Sequence, residues 1–342
     1  MRVAVLMSGG VDSTAAALLL LQQGYEVFGI TMVHMDDGVG EEAARAAADL
    51  GIQHHIIDLH SVFQETVVQY FCQEYERGRT PNPCVMCNEQ IKFGILLQAA
   101  LDLGADKVAT GHYARVEFDV EKHCYHLKKG KDPQKDQSYF LYRLQQQQLA
   151  RILFPLGNYL KEEVREFAQR HSLEASAARE SQEICFIPDD YRAFIRPRVS
   201  YQAGSFIDRK GKRLGSHQGI PFYTIGQRRG LGISAGRPVY VTRIDARHNQ
   251  IVLGDEEDLY TSIVRSEHNS FVYPQIDSKM VQVTAKIRYA AREKPAVLSH
   301  ICDDVWELVF DEAQRAVTPG QSVVYYQGEY VLGGGIIMSE NI

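Results

Sequence analysis

Residues 3 to 14, Val-Ala-Val-Leu-Met-Ser-Gly-Gly-Val-Asp-Ser-Thr, constrain the fold more than any other stretch. The apolar run from Val3 to Met7 suits a short buried strand, and the run from Ser13 onward suits a helix ending at Gly24. Between them, Gly9 and Gly10 leave backbone N–H groups open to an anion, and the following helix points its positive dipole end into the same space. The junction reads as a phosphate cradle. A Walker loop would add Gly-Lys-Ser/Thr, and a dinucleotide fold would need G-x-G-x-x-G with an acidic residue about 20 positions on. Neither is present, and the plain alternative is a glycine turn joining strand to helix.

Downstream, the pattern alternates: a strand at Val27–Val33, a helix from Glu41 to Leu50, a strand at His55–Asp58, a long helix near Val62 to Glu76, and a strand at Lys107–Thr110. Such alternation predicts an α/β fold with a doubly wound parallel sheet, whose ligands bind at the carboxyl ends of the strands. Met32 ends the second strand, where it either covers an adenine ring or serves as a core methionine. Gly111 would allow close approach of a nucleotide, and His112 just beyond would contact phosphate or RNA, unless it is merely a solvated turn histidine.

The second informative stretch is 79 to 93, Arg-Thr-Pro-Asn-Pro-Cys-Val-Met-Cys-Asn-Glu-Gln-Ile-Lys-Phe. Prolines on both sides of Asn82 stiffen an extended loop, and Asn88 suits the N-cap of a helix from Glu89 to about Leu103. Cys87 then lies just before a helix N-terminus, a position that lowers a thiol pKa. A buried cysteine pair or half a zinc site is the alternative, but no second C-x-x-C or His pair with zinc-like spacing accompanies it. Cys185 falls in an apolar, strand-like segment ending at Pro188, where a buried inert cysteine is expected unless it folds back beside Cys87. Residues 128 to 139 hold Lys128, Lys129, Lys131 and Lys135, followed by polar amides and an aromatic. This composition suits RNA backbone contact or a solvated loop.

With 342 residues the chain is long enough for two or three domains. A net charge of −6 argues against non-specific coating of nucleic acid, so RNA contact must come from local basic patches. The N-terminus lacks a signal-peptide h-region, and the longest apolar run, Ala15 to Leu21, is too short for a bilayer; the expectation is a cytoplasmic protein with no membrane partner, whose cysteines are thiols. After about residue 195, helical periodicity gives way to Gly- and Pro-rich short strands. Residues 204 to 240 form a glycine-rich module with a basic tip at Arg228 and Arg229, and from about 262 the strands suggest a small barrel, with Arg288-Tyr289 pairing a cation and a stacking ring. The expected division is 1–195, 196–261 and 262–342.

Ser-Gly-Gly-Val-Asp-Ser at 8 to 13 matches the signature of the PP-loop pyrophosphatase superfamily, whose members use ATP to adenylate a substrate. Further motifs run nearly end to end: Thr-Pro-Asn-Pro at 80 to 83, Cys87-Asn, Ala-Thr-Gly-His-Tyr at 109 to 113, Lys-Asp-Gln-Ser-Tyr-Phe-Leu at 135 to 141, Ile-Cys-Phe-Ile at 184 to 187, Gly-Gln-Arg-Arg-Gly-Leu-Gly at 226 to 232 and Thr-Pro-Gly-Gln-Ser at 318 to 322. Together they resemble the bacterial tRNA-specific 2-thiouridylase family. The resemblance implies a PP-loop domain, a small central β-rich domain and a C-terminal β-barrel that clasp the anticodon arm of tRNA. The target is then the wobble uridine of the tRNAs for lysine, glutamate and glutamine. It implies ATP with Mg2+ at Leu6, Met7, Ser8, Gly9, Gly10, Val11, Asp12, Ser13, Met32 and Gly111, with Asp12 suspected as a Mg2+ ligand, and a target-base pocket at Asn82, Pro83 and Cys84. It further implies tRNA contacts at His112, Lys135, Asp136, Gln137, Arg288, Tyr289 and Gln321. Cys185 would accept sulfur as a persulfide from a cysteine desulfurase or sulfur-relay protein. Cys87 would attack it, leaving sulfide or a Cys87–Cys185 disulfide. Many members carry Asp where Cys84 stands. Cys84, Cys87 and Cys185 therefore raise an alternative, a [4Fe-4S] cluster with one open iron. Another PP-loop enzyme, such as an amidotransferase-type synthetase or a small-molecule sulfurtransferase, and a non-catalytic RNA-binding protein remain rival classes.

Overall fold

The structure, a computed structural model, describes residues 1–35, 38–173, 184–187, 190–234, 236–273 and 280–339. Strands β1 (Arg2–Leu6), β2 (Glu26–Val33), β3 (His54–Asp58), β4 (Lys107–Ala109) and β7 (Ile152–Leu153) form a parallel sheet in the order β3-β2-β1-β4-β7. Val3, Ala4 and Val5 are fully buried because helices cover both faces, which is why the strand reads as a continuous apolar run. The order reverses direction between β1 and β4. The loops leaving these two strands, 8–10 and 110–112, therefore flank the crevice where doubly wound sheets bind ligands.

Among the helix starts that differ from the sequence reading, two bear on the site, both for local reasons. Helix α1 (Val11–Gln22) begins at Val11 because Gly10 is extended (φ −76°, ψ 163°) and the Ser13 and Thr14 hydroxyls donate to its carbonyl at 3.1 and 3.0 Å. The helix after the 79–82 loop starts at Pro83, not after Asn88. Asn82 is extended (φ −112°, ψ 93°), and a proline in the first turn loses no hydrogen bond. That helix continues as a π-helical stretch over Cys87–Ile95 and an α-helix over Leu96–Asp102. The segment around Cys185 is a turn rather than a strand; Ser181 to Glu183 and Pro188 lie outside the described residues.

The central module is a four-stranded sheet of β8 (Gly204–Asp208), β9 (Arg213–His217), β10 (Tyr240–Asp245) and β11 (Gln250–Gly254), in the order β10-β11-β8-β9. Its core residues Phe206, Phe222, Val241 and Leu253 belong to the same apolar cluster as Phe71, Tyr75 and Ile187, so the two bodies share one core. Strands β12 (Tyr260–Phe271), β13 (Met280–Lys286), β14 (Lys294–Cys302), β15 (Val305–Arg315), β16 (Ser322–Gln327) and β17 (Tyr330–Ile337) close into a six-stranded barrel through the β12–β17 pairing. A hairpin from the first domain, β5 (Ala114–Asp119) and β6 (Cys124–Lys129), joins the barrel at β17, a connection that the alternation of elements does not foretell. Among the described residues no helix is long and apolar enough to cross a membrane.

Candidate active site

The loop after β1 is braced from within. The Ser8 N–H donates to the Ser13 hydroxyl oxygen at 3.2 Å, while Gly9 has φ +75° and lies so close to α2 (Val39–Asp49) that a Cβ would sit 2.7 Å from that of Glu42. Leu6 and Met7 lead into the loop, and Val11 and Ser13 are buried beneath it. Asp12 projects from the first turn of α1. Its two oxygens each accept from Lys161 Nζ at 2.7 Å, and one also accepts from the Tyr113 hydroxyl at 2.9 Å. Gly111 faces this same turn: a Cβ there would lie 2.9 Å from the Asp12 carbonyl carbon. The missing side chain thus lets the two crevice loops touch each other. Met32 is half-buried against the core. The Asp12 carboxylate, the suspected Mg2+ ligand, is engaged by Lys161, and no cluster of three or more His, Cys, Asp or Glu suited to a metal ion occurs among the described residues.

Cys84 and Cys87 stand one turn apart on one face of the Pro83 helix. Cys87 is 6% exposed, and burial raises its thiol pKa; burial also pushes Cys84 up to about 11, with Lys92 partly opposing the rise in both. The expected thiolate at Cys87 is therefore corrected. Cys87 sits inside the helix rather than ahead of its N-terminus, and desolvation disfavours its charged form. Cys185 is exposed on its turn, not buried in a strand; its thiol interacts electrostatically with that of Cys84, and its Sγ lies 3.7 Å from His34 Nε2. Cys84, Cys87 and Cys185 do not converge as a ligand set, so the iron–sulfur alternative is not supported. No disulfide joins any of the six cysteines.

The C-terminal barrel clamps the proline loop from above. Gln321 Nε2 donates to the Thr80 and Pro81 carbonyls at 2.9 and 3.2 Å, the Thr80 N–H donates to Pro319 O at 2.8 Å, and Arg79 pairs with Glu267 at 2.7 Å. Asn82 bonds to Tyr139, and the buried Asn88 amide donates to Phe140 O at 3.2 Å. Gln321 is thus engaged with the loop. Two further residues expected at RNA also point inward. Asp136, 5% exposed, accepts from the Gly130 and Ser138 N–H groups and the Ser138 hydroxyl, and Gln137 Oε1 accepts from the Tyr113 N–H at 3.0 Å. They fix the turn that presents Lys135. His112 is half-buried beside Phe93 and Phe154, with Nδ1 2.7 Å from the Thr110 hydroxyl; burial and Lys92 hold its pKa well below the ordinary value. Arg288 and Tyr289 are exposed, the Tyr289 ring centroid 4.4 Å from that of Phe140, as are Arg228 and Arg229.

Three residues that sequence reasoning passed over sit beside these groups. Lys92 acts on Cys84, Cys87 and His112, and so ties the thiols to the crevice loop after β4. His34 follows β2 at the same carboxyl edge. Lys161 carried a readable signal: a lysine in the first position of a helix (Lys161–Arg170) places a cation at the positive dipole end, which calls for a compensating anion.

Residues 1–189 match the family described as tRNA methyl transferase HUP domain, 192–255 that described as tRNA methyl transferase PRC-barrel domain, and 261–337 that described as aminomethyltransferase beta-barrel domain. The tRNA-specific 2-thiouridylase MnmA of Syntrophomonas wolfei is 66% identical over 98% of this chain and 100% of its own. The tRNA-specific 2-thiouridylase MnmA 1 of Caldanaerobacter subterraneus is 49% identical over 98% of this chain and 97% of its own, and the tRNA-specific 2-thiouridylase MnmA of Desulforudis audaxviator 49% over 98% of each. With such identity over nearly its whole length and that of these relatives, the chain is a member of the tRNA-specific 2-thiouridylase family.

Proposed function

We propose that the protein is an ATP-dependent tRNA sulfurtransferase that adenylates the C2 oxygen of the wobble uridine in the tRNAs for lysine, glutamate and glutamine, then replaces it with sulfur. One observation carries the reading: the Ser8–Gly10 loop, Cys84, Cys87 and Cys185 all gather at the carboxyl edge of one parallel sheet, linked through Lys92 and His34. A uracil oxygen is a poor leaving group, and adenylation makes AMP leave in its place while pyrophosphate departs into the loop. Residues 6–13, Met32 and Gly111 frame the ATP site. The base leaves its stack to reach ATP and lodges against Asn82, Pro83 and Cys84.

Cys185, exposed, takes sulfur as a persulfide from an upstream persulfide-carrying protein. The Cys87 sulfur attacks Cys185 Sγ, a Cys87–Cys185 disulfide forms, and HS⁻ leaves to displace AMP; a dithiol reductant then restores both thiols. Lys135, Arg288, Tyr289 and the Arg228–Arg229 tip are the proposed tRNA contacts, spread over the divisions 1–195, 196–261 and 262–342. Methyl transfer, which the family descriptions mention, would need neither the cradle nor the cysteines. The test is product analysis with unmodified tRNA, ATP and a persulfide donor. We expect tRNA-dependent AMP and pyrophosphate in equal amounts, whereas ADP as product, or methylation from S-adenosylmethionine, overturns the reading.

A further inference from the structure

We propose that His34 is the proton acceptor that holds Cys185 as a thiolate ready to receive sulfur, and that the Phe63 ring presets their approach. The inference rests on the sulfur-transfer reading of this site and adds a residue to it. His34 Nε2 lies 3.7 Å from Cys185 Sγ, within reach for sulfur. Both partners are registered by one buried ring. The His34 ring centroid is 4.3 Å from that of Phe63, and Phe186, next to Cys185 in the chain, lies 5.6 Å from Phe63 at 77°. Phe186 is 3% exposed and also packs on Phe71 and Phe194, so it anchors a turn whose neighbouring thiol faces solvent. His34 itself follows β2 at the ligand edge of the sheet. A thiol held beside an imidazole becomes a thiolate–imidazolium pair, the arrangement that activates cysteine nucleophiles.

The thiol and the ammonium on the Pro83 helix do not supply this function. Cys84, on the Pro83 helix, keeps its proton because burial pushes its pKa up to about 11, and Lys92 is placed to act on Cys84 and Cys87. The step balances without an oxidant. The Cys185 proton moves to His34 Nε2, and the thiolate attacks the outer sulfur of a donor persulfide, R–S–SH. A Cys185 Sγ–S bond forms as the donor S–S bond breaks, and the departing R–S⁻ takes the proton back from His34.

The test is the rate of Cys185 alkylation by iodoacetamide in the full chain, followed by peptide mass spectrometry from about pH 5.5 to 9.5, in wild type and in His34→Gln. Cys302, exposed and distant in the chain, is the internal reference. The wild-type rate should reach half its plateau below about pH 7.5, and His34→Gln should move that point up by about one unit. At about pH 6.5 the variant should react about three- to tenfold more slowly, after allowing for the weaker nucleophilicity of a low-pKa thiolate. Superimposable curves overturn the proposal. The pair is also read from its other side. The His34 imidazole, followed by NMR, should titrate higher in wild type than in Cys185→Ser, and equal values refute the pairing whether or not the His34 variant folds. Neither readout uses ATP or tRNA, so their failure leaves sulfur transfer standing, whereas failure of tRNA thiolation by the wild type refutes the underlying reading.

Discussion

Replacing Lys161 by Met should destabilise the first domain while sparing its packing, because the methionine stem still fills the site beside Tyr113. In wild type the ammonium sits 2.7 Å from both oxygens of Asp12, and the Lys161 side chain is 5% exposed against 34% for Asp12. Breaking a fully buried pair costs about 3–5 kcal/mol; with a third of Asp12 open to water, about 2 kcal/mol is the reasonable figure for Lys161→Met. Asp12→Asn should cost at least as much, since it leaves the more deeply buried cation at a helix N-terminus. Each change should lower the first calorimetric transition by about 4–8 °C. The double variant should recover about 2 kcal/mol relative to the sum of the singles. Shifts below about 1 °C, or simple additivity, would refute the idea that this pair holds the phosphate loop in place.

Other consequences are read in activity and stability. Since burial raises the Cys87 pKa, the thiol is protonated at neutral pH and its attacking form grows as pH rises, so single-turnover sulfur transfer should accelerate from about pH 7 to 9; a flat profile contradicts this. Gly111→Ala would place a Cβ 2.9 Å from the Asp12 backbone, and should leave a folded protein with at least about tenfold weaker pyrophosphate exchange. Wild-type exchange in that variant would show that the two crevice loops need not touch. Gln321→Ala removes two hydrogen bonds to the proline loop, and its cost, about 1–2 kcal/mol by thermal unfolding, should appear together with a raised KM for tRNA.

The parallel sheet was legible because each of its elements announces itself locally. Buried strands such as Val3–Val5 are continuous apolar runs, and Gly9 marks a turn that only a positive φ closes. Partnerships between distant segments were not legible. Nothing in Thr-Pro-Asn-Pro or Thr-Pro-Gly-Gln-Ser alone says that Gln321 grips the carbonyls of Thr80 and Pro81, or that β6 extends the barrel. The two misread helix starts show competition between signals: Pro83 in the first turn outranks the capping tendency of Asn88, and that shift carries Cys87 into the helix, where burial decides its protonation. Motif residues also proved to divide between surface and scaffold. Of Lys135, Asp136 and Gln137, the last two are internal braces, because a short carboxylate or amide in a turn binds backbone N–H groups as readily as RNA. His34 escaped notice because its partner lies 151 positions away.

On the proposed function, one sheet edge first activates a uridine and then hands it sulfur. Nucleoside mass spectrometry of unmodified lysine tRNA, incubated with the protein, ATP and a labelled persulfide donor, tests it most directly. Labelled 2-thiouridine at the wobble position, matched one for one by AMP and abolished in both Cys87→Ser and Cys185→Ser, is the predicted result. Sulfur incorporation that survives loss of Cys185, or tRNA left unthiolated while the donor persulfide is consumed, would contradict the account.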